Sequence, residues 1–422
     1  MGVPPVSVVI VSRGRPQALR LCLTAVAQLD HPGFEVIVVA CPEGAAAASA
    51  RPHADRIKLV PFDTPNISAA RNLGIAHAAG EAVAFLDDDA VPEPTWLGHL
   101  CAPFEAAEVA ATGGYVRGRN GIDYQWTARS VTGRAEEAPL ALGGMEAQVF
   151  APMPGRAVKL QGTNMAHRRS VLAGLGGFDP AYRFFLDETD LDLRLAAAGH
   201  AVAVVPRAQV HHGYAESARR GADRTPRDLT EIGASLAVFL RRHCPEAERG
   251  AAWLTFRAEQ RRRLLEYMRR GPLGPDDVLR LLAGLDRGYR DGETRPLSAP
   301  EPIGPAKTPF LPFPGRPGAP RDVLAGRLWS RRKTRVEAAR LAGLGHVVSV
   351  FRFSHTALYH QMSFRPEGYW EQTGGLWGRS IRSGRIIRPC LFRSRVHAEV
   401  ERVADIRGSS QKNSGLLLQA QN

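Results

Sequence analysis

Long apolar runs are missing from this chain: nothing approaches the ~20 consecutive apolar residues that a bilayer-spanning helix needs. Paired cysteines are missing as well. Cys22, Cys41, Cys101, Cys244 and Cys390 are odd in number and scattered. That argues against a disulfide framework or a zinc site and fits a reducing compartment. The opening MGVPPVSVVIVSRGR has no basic segment ahead of an apolar core and no cleavage pattern, so it does not read as a signal peptide. A cytoplasmic protein is expected, at most peripheral at the inner face of the membrane. Lysine is scarce, with only five among 55 basic residues. The net charge of +13 therefore comes from arginine, in a chain also rich in Ala, Gly and Pro. Such a bias looks like a GC-rich coding background as much as a surface for polyanions. No nucleic-acid-binding motif is present, and no nucleic-acid partner is expected.

What is there is the balance of a globular protein: 44% apolar and 23% charged residues over 422 positions, enough for two or three domains. The stretch Gly80 to Glu93, GEAVAFLDDDAVPE, organises the rest. Ala82 to Leu86 reads as a buried strand ending in Asp87, Asp88 and Asp89. In open α/β sheets ligands bind beyond the carboxyl ends of strands. If the backbone stays extended there, Asp87 and Asp89 share one side. Two carboxylates on one side suit Mg²⁺ or Mn²⁺, which takes further ligands from water and phosphate. A solvated acidic turn is the plainer alternative for an isolated DDD.

Further strands are expected at Val6 to Val11, Phe34 to Val39 and Ile57 to Val60, with helices after Pro16 and from Ser68 to Ala79. Strand and helix alternate through the first ninety residues, which predicts a doubly wound, mostly parallel sheet. The segments VSVVIVSRGRP, NISAARNLGIAHAAGEAVAFLDDDAVPEPTWL and QGTNMAHRRSVLAGLGGFDPAYRFFLDETDLDLRLAAAGHAVAVVP, in this order, resemble a family 2 glycosyltransferase of the GT-A fold, from Val6 to His212. The fold class that follows is α/β, a Rossmann-like mixed sheet as in nucleotide-diphospho-sugar transferases, with a helical annex and a small C-terminal α/β segment.

The resemblance implies inverting transfer of a sugar from a nucleotide-diphosphate donor, UDP by default, to a hydroxyl of a glycan or lipid-linked acceptor, in cell-surface polysaccharide assembly. It implies a divalent cation, Mg²⁺ or Mn²⁺, held by Asp87, Asp89 and His212. It implies a donor-nucleotide surface drawn from Ser12, Arg15, Asp63, Arg71, Asp87 and Asp88. Glu188 falls at the catalytic-base position with Asp187 just before it, in swapped order, and both stay candidates for the base. For Arg71 the competing reading is an arginine paired with an acid on the sheet, and for Asp187 a helix N-cap. His212 fits the ligand spacing better than His211. The second strand departs from the family pattern, with Ala40 and Cys41 where a base-recognising Asp is common. Glu43 or Asp63 is the substitute on offer.

Thr112 to Val116 resembles the family strand that crosses under the acceptor site; the segment after it, to Lys159, shows no sustained periodicity and is read as an acceptor-recognition loop or an insertion. The expected domains are a catalytic unit over 1–215, an amphipathic helical annex over 216–295, a proline-rich linker over 296–322 and a segment of unknown role over 323–422. The annex is a packing unit, or, through Trp253 and Phe256, a peripheral membrane contact. Tyr369, Trp370 and Trp377 stack on sugar rings or bury. A non-catalytic sugar-nucleotide or glycan-binding protein is the alternative function.

Overall fold

Along strand β1 (Val6–Ser12), Val6, Val8 and Ile10 face one core and Val9 the other. Such alternation with both faces buried belongs to a central strand covered by helices on each side. The computed structural model describes residues 4–213, 215–297, 299–408 and 416–417. After β1 come α1 (Pro16–Val26), β2 (Phe34–Ala40), α2 (Pro42–Ser49), β3 (Ile57–Pro61), α3 (Ile67–His77), β4 (Ala82–Asp87) and β5 (Ala90–Pro92). Pro16 and Pro42 open their helices at the first turn, where a missing N–H leaves no hydrogen bond unmade. β1 pairs in parallel with β2 and β4, and β2 with β3. The expected parallel unit is therefore present.

Then follow α4 (Trp96–Cys101), β6 (Val109–Arg117), β7 (Tyr124–Trp126), β8 (Arg129–Thr132), β9 (Glu137–Pro139), β10 (Gln148–Phe150), β11 (Arg156–Lys159), β12 (Met165–Arg168), α5 (Arg169–Gly174), α6 (Asp187–Ala197) and β13 (Ala201–His212). The main sheet runs β10-β13-β6-β12-β4-β1-β2-β3. β12 is antiparallel to β4 and β6, and β13 is parallel to β6. This is the mixed α/β sheet the sequence predicts. The region without periodicity is built of short strands, and β8, β9 and β11 make a separate three-stranded sheet. Strands of three or four residues are too short to leave a period-two signal.

α7 (Thr230–His243), α8 (Glu246–Arg270) and α9 (Pro275–Thr294) pack on α6, where Leu236 and Phe239 share a core with Leu193. Trp253 and Phe256 lean into this annex rather than outward, and Trp253 stacks on Tyr289 with ring centroids 4.0 Å apart. Among the described residues the proline-rich stretch has no regular secondary structure and lies as a strap across the start of β2. Leu311 N donates to the Glu35 carboxylate at 2.9 Å and Phe313 N to Phe34 O at 2.8 Å. The Phe313 ring enters the core beside Phe34.

β14 (Arg321–Gly326), α10 (Arg331–Gly343), β15 (Val347–Ser354), β16 (Gln361–Phe364), β17 (Trp370–Gly375), α11 (Phe392–Arg407) and β18 (Leu416–Leu417) form a second layer. Its five-stranded sheet runs β16-β17-β15-β14-β18. Tyr369 and Trp370 are buried, which removes them as sugar platforms. A fully buried ion pair, Glu93 to Arg407 at 2.9 Å, fastens α11 to the loop after β5.

Candidate active site

β4 carries Asp87 to the carboxyl edge of the main sheet, next to the end of β1. The chain then turns at Asp88 and Asp89 instead of staying extended, a correction to the geometry expected of DDD. The turn sends Asp88 beneath the edge, where it accepts Ser12 Oγ at 2.7 Å and pairs with Arg15 at 2.6 Å. Burial pushes the Asp88 carboxyl up, to about 7, against the pull of Arg15 and Ser12. Both Ser12 and Asp88 are buried, and their polar atoms shape the turn from below.

Asp89 faces the cleft. His212, at the end of β13, brings Nε2 to 3.3 Å from Asp89 Oδ1. Ala215 N donates to Oδ2 at 2.7 Å and Arg15 to the same oxygen at 3.1 Å. Burial by itself would raise this carboxyl, yet His212, Arg15 and the Ala215 amide outweigh it and hold it well below the usual carboxylate range. One ligand atom from each of Asp87, Asp89 and His212 lies within 4.8 Å of the others. Asp89 Oδ1 is buried and accepts no hydrogen bond. His212 Nδ1 lies 3.0 Å from Gln125 Oε1, which fixes the ring with Nε2 on the Asp89 side. Hard oxygens plus one imidazole suit Mg²⁺ or Mn²⁺, so the residues fit the expected metal. The adjacent His211 points to the other face of β13 and meets Glu93 at 2.8 Å, which explains why only one of the pair joins the triad.

Arg71, on α3, is buried and bridges two acids. It lies 2.5 Å from Asp187 and 3.5 Å from Asp87, and donates to Gly162 O at 3.0 Å. Its guanidinium also sits 5.1 Å from the Phe178 ring centroid. A Cβ at position 162 would fall 2.3 Å from Arg71 Nη2, so a side chain there would expel the guanidinium. Of the two readings of Arg71, the acid-paired one describes its contacts, although the pair is buried rather than superficial. Asn72 braces the neighbouring loop by exchanging hydrogen bonds with the Phe178 backbone.

Asp187 does not cap α6. The cap position belongs to Leu186, with no side-chain cap bond, and Asp187 turns to Arg71. Phe185 and Leu186 both take left-handed backbone, φ 75° and 63°, at a cost on the order of 1–2 kcal/mol each. Leu191 and Leu195, fully buried, anchor the helix and hold this turn. Burial, with Glu188 alongside, raises the Asp187 carboxyl above its ordinary range while Arg71 opposes the rise. Glu188 is half-buried at the same helix start.

Asp63 is exposed and pairs with Arg13 at 3.0 Å, and Glu43 is exposed at the start of α2. Cys41 Sγ accepts Gly14 N at 3.3 Å. Sequence reasoning did not single out Gln125 or Glu93. Gln125 carries no local signal, whereas Glu93 stands four residues after Asp89 in an otherwise apolar stretch.

A Rossmann-like mixed sheet with an Asp-Asp-His cluster at its carboxyl edge and a second acidic pair tied to it by a buried arginine is a sugar-transferase architecture. The family described as Glycosyltransferase like family 2 matches residues 4–230, and the chain belongs to that family. Among curated proteins, it is 31% identical over 243 residues to the O-antigen biosynthesis protein RfbC of Myxococcus xanthus, covering 53% of this chain and 18% of that one. It is 32% identical over 219 residues to the pre-mycofactocin glycosyltransferase of Mycobacterium tuberculosis, covering 50% of this chain and 43% of that one. The match thus spans less than half the length of either relative. Among solved structures, the mannosyltransferase PcManGT of Pyrobaculum calidifontis, in complex with GDP-Man and Mn²⁺, is similar with TM-score 0.45 and 17% identity, over 69% of this chain and 88% of that one. GalNAc-T7 with UDP, GalNAc and Mn²⁺ is similar with TM-score 0.43 and 15% identity, over 57% of this chain and 48% of that one. Among the described residues, no helix is long and apolar enough to cross a membrane.

Proposed function

We propose that this glycosyltransferase moves a sugar from a nucleotide-diphosphate donor to a hydroxyl of a glycan or lipid-linked acceptor, with inversion at the anomeric carbon, in cell-surface polysaccharide assembly. The observation that carries this reading is the convergence of Asp87, Asp89 and His212 within 4.8 Å, with Arg71 joining Asp87 to the Asp187–Glu188 pair. Asp87, Asp89 and His212 would hold a divalent cation, with Gln125 orienting the His212 ring. When bound, that cation supplies neutralisation of the departing diphosphate.

Glu188 is the base. Asp187 is committed to Arg71, while Glu188 at the first turn of α6 remains half-buried and can reach an acceptor hydroxyl. The acceptor O–H proton passes to Glu188 as the oxygen bonds to the anomeric carbon. The bond from that carbon to phosphate oxygen breaks with its electron pair, and the nucleoside diphosphate leaves. Arg15, at the mouth of the cleft beside Asp89, faces the donor phosphates. The nucleobase falls toward Asp63, just after β3, and its partner Arg13, just after β1.

The test is a screen of nucleotide-sugar donors for Mn²⁺-dependent hydrolysis and transfer. Asp89→Asn is expected to abolish Mn²⁺ dependence together with turnover. Glu188→Gln is expected to abolish transfer with donor affinity nearly unchanged. Undiminished turnover in Glu188→Gln would move the base to another group. Intact function in Asp89→Asn would favour the non-catalytic binding alternative.

A further inference from the structure

The carboxyl edge of the second sheet has no role in the chemistry above, yet its surface is unusual. β14, β15 and β17 are parallel, so the loops after Gly326, Ser354 and Gly375 gather along one side. These loops touch one another. Arg327 lies over the Phe392 ring, 4.6 Å from its centroid, and His355 sits between Trp329 and Trp377 at 6.5 and 6.3 Å. From this edge residues 381–391 extend without helix or strand.

Two properties coincide there. Ile386, Ile387 and Leu391 are 61%, 56% and 78% exposed, and Trp329, on the loop after β14 at the same edge, is 73% exposed. Apolar side chains clustered in water mark a surface that is covered in use. The same segment is cationic. Between Leu376 and Ala398 the chain carries arginines and no Asp or Glu. α10 opens on Arg331, Arg332 and Lys333 with no acid in its first turn. Cations at a helix N-terminus oppose the helix dipole, so this edge is left wanting external anions.

We propose that this edge docks onto an anionic bilayer surface. Ile386, Ile387 and Trp329 enter the boundary between headgroups and acyl chains, and the surrounding arginines meet lipid phosphates. A nucleic acid would engage the arginines and leave the isoleucines in water. An apolar protein groove would take the isoleucines and strand the arginines without counter-charge. A layer that is anionic outside and apolar just beneath satisfies both. Arg382 pairs with Asp123 at 3.2 Å, on the loop that leads to Gln125, so the docked edge lies on the same side as the residue orienting His212. The docking does not depend on the transfer reaction proposed above.

The full chain would be sedimented with vesicles of phosphatidylcholine alone and of phosphatidylcholine with phosphatidylglycerol. Binding to the anionic vesicles is expected, weakening as salt rises, with little binding to the neutral ones. Arg385→Glu with Arg388→Glu should lower the partition coefficient by at least about 25-fold, from about fivefold per arginine removed. Ile386→Asp with Ile387→Asp should lower it by a comparable factor with the arginines intact. Both variants alter exposed side chains and should keep the parent melting temperature and the parent rate of donor hydrolysis. Failure to bind anionic vesicles at low salt, or unchanged binding in the isoleucine variant, would overturn the proposal. Retention on heparin or duplex DNA without vesicle binding would overturn it too, in favour of a plain polyanion surface.

Discussion

Replacing Arg407 by methionine tests the joint between the catalytic sheet and the second one. Glu93 is fully buried, and Arg407 reaches its two oxygens at 2.9 and 3.1 Å. Burial would raise the Glu93 carboxyl, but Arg407 and then His211 overcome it and lower it from 4.5 to about 2. At about 1.4 kcal/mol per pH unit, that displacement is worth about 3 kcal/mol of folded-state stabilisation. An independent route gives the same size, since removing one partner of a buried ion pair costs about 3–5 kcal/mol. The sign follows from the direction. A carboxylate lowered in the folded state stabilises above its unfolded pKa and loses that contribution as pH falls toward its folded one. Arg407→Met should therefore cost about 3–5 kcal/mol at pH 7, and the gap from the parent should narrow between pH 4.5 and pH 2. Urea unfolding followed by tryptophan fluorescence would report it, because Arg407 lies 4.5 Å from the Trp370 ring centroid. Glu93→Gln together with Arg407→Met should recover much of the loss, since no unpaired buried charge remains. A loss below about 1 kcal/mol at pH 7, or one of equal size at pH 7 and pH 3, would refute the reasoning.

Gly162→Ala should displace the Arg71 guanidinium from Asp187; expected is a loss of about 2 kcal/mol or more in urea unfolding and a large fall in turnover, and parent-like values for both would count against the buried tie. Leu195→Ala, in the fully buried face of α6, should cost about 2–5 kcal/mol by the same measurement. Phe313→Ala should cost about 3–5 kcal/mol and expose the strap over 296–320 to limited proteolysis; protease resistance equal to the parent would mean the strap is held by its backbone bonds alone. Gln125→Ala should weaken Mn²⁺ binding about 10–100-fold, read by isothermal titration without substrate, while leaving the fold unchanged.

Much of the catalytic unit was legible because it is built from local signals. β-branched runs at Val6 and Phe34, the proline at the first helix start and the acid-terminated run at Ala82 each announce an element without reference to the rest of the chain. Asp87 and Asp89 could be named for the same reason, as the acids that close the Ala82 run, whereas Glu188 and His212 were named through the resemblance of their segments to family 2 glycosyltransferases. What the sequence does not carry is direction. Asp88 lies between two acids of the cleft and yet turns beneath the sheet, because Ser12 and Arg15 wait there. His211 and His212 are neighbours of one type; the resemblance favoured His212 as the ligand, and the strand's two faces send His211 to Glu93 and His212 to Asp89. Asp187 looked like a helix cap until the left-handed turn at Phe185 and Leu186 aimed it at Arg71, 116 positions away. Residue type and spacing are written locally, so the chain alone determines which groups are available and roughly where elements begin. Partnership between groups far apart in sequence depends on which face each presents after packing, and only the tertiary structure decides that.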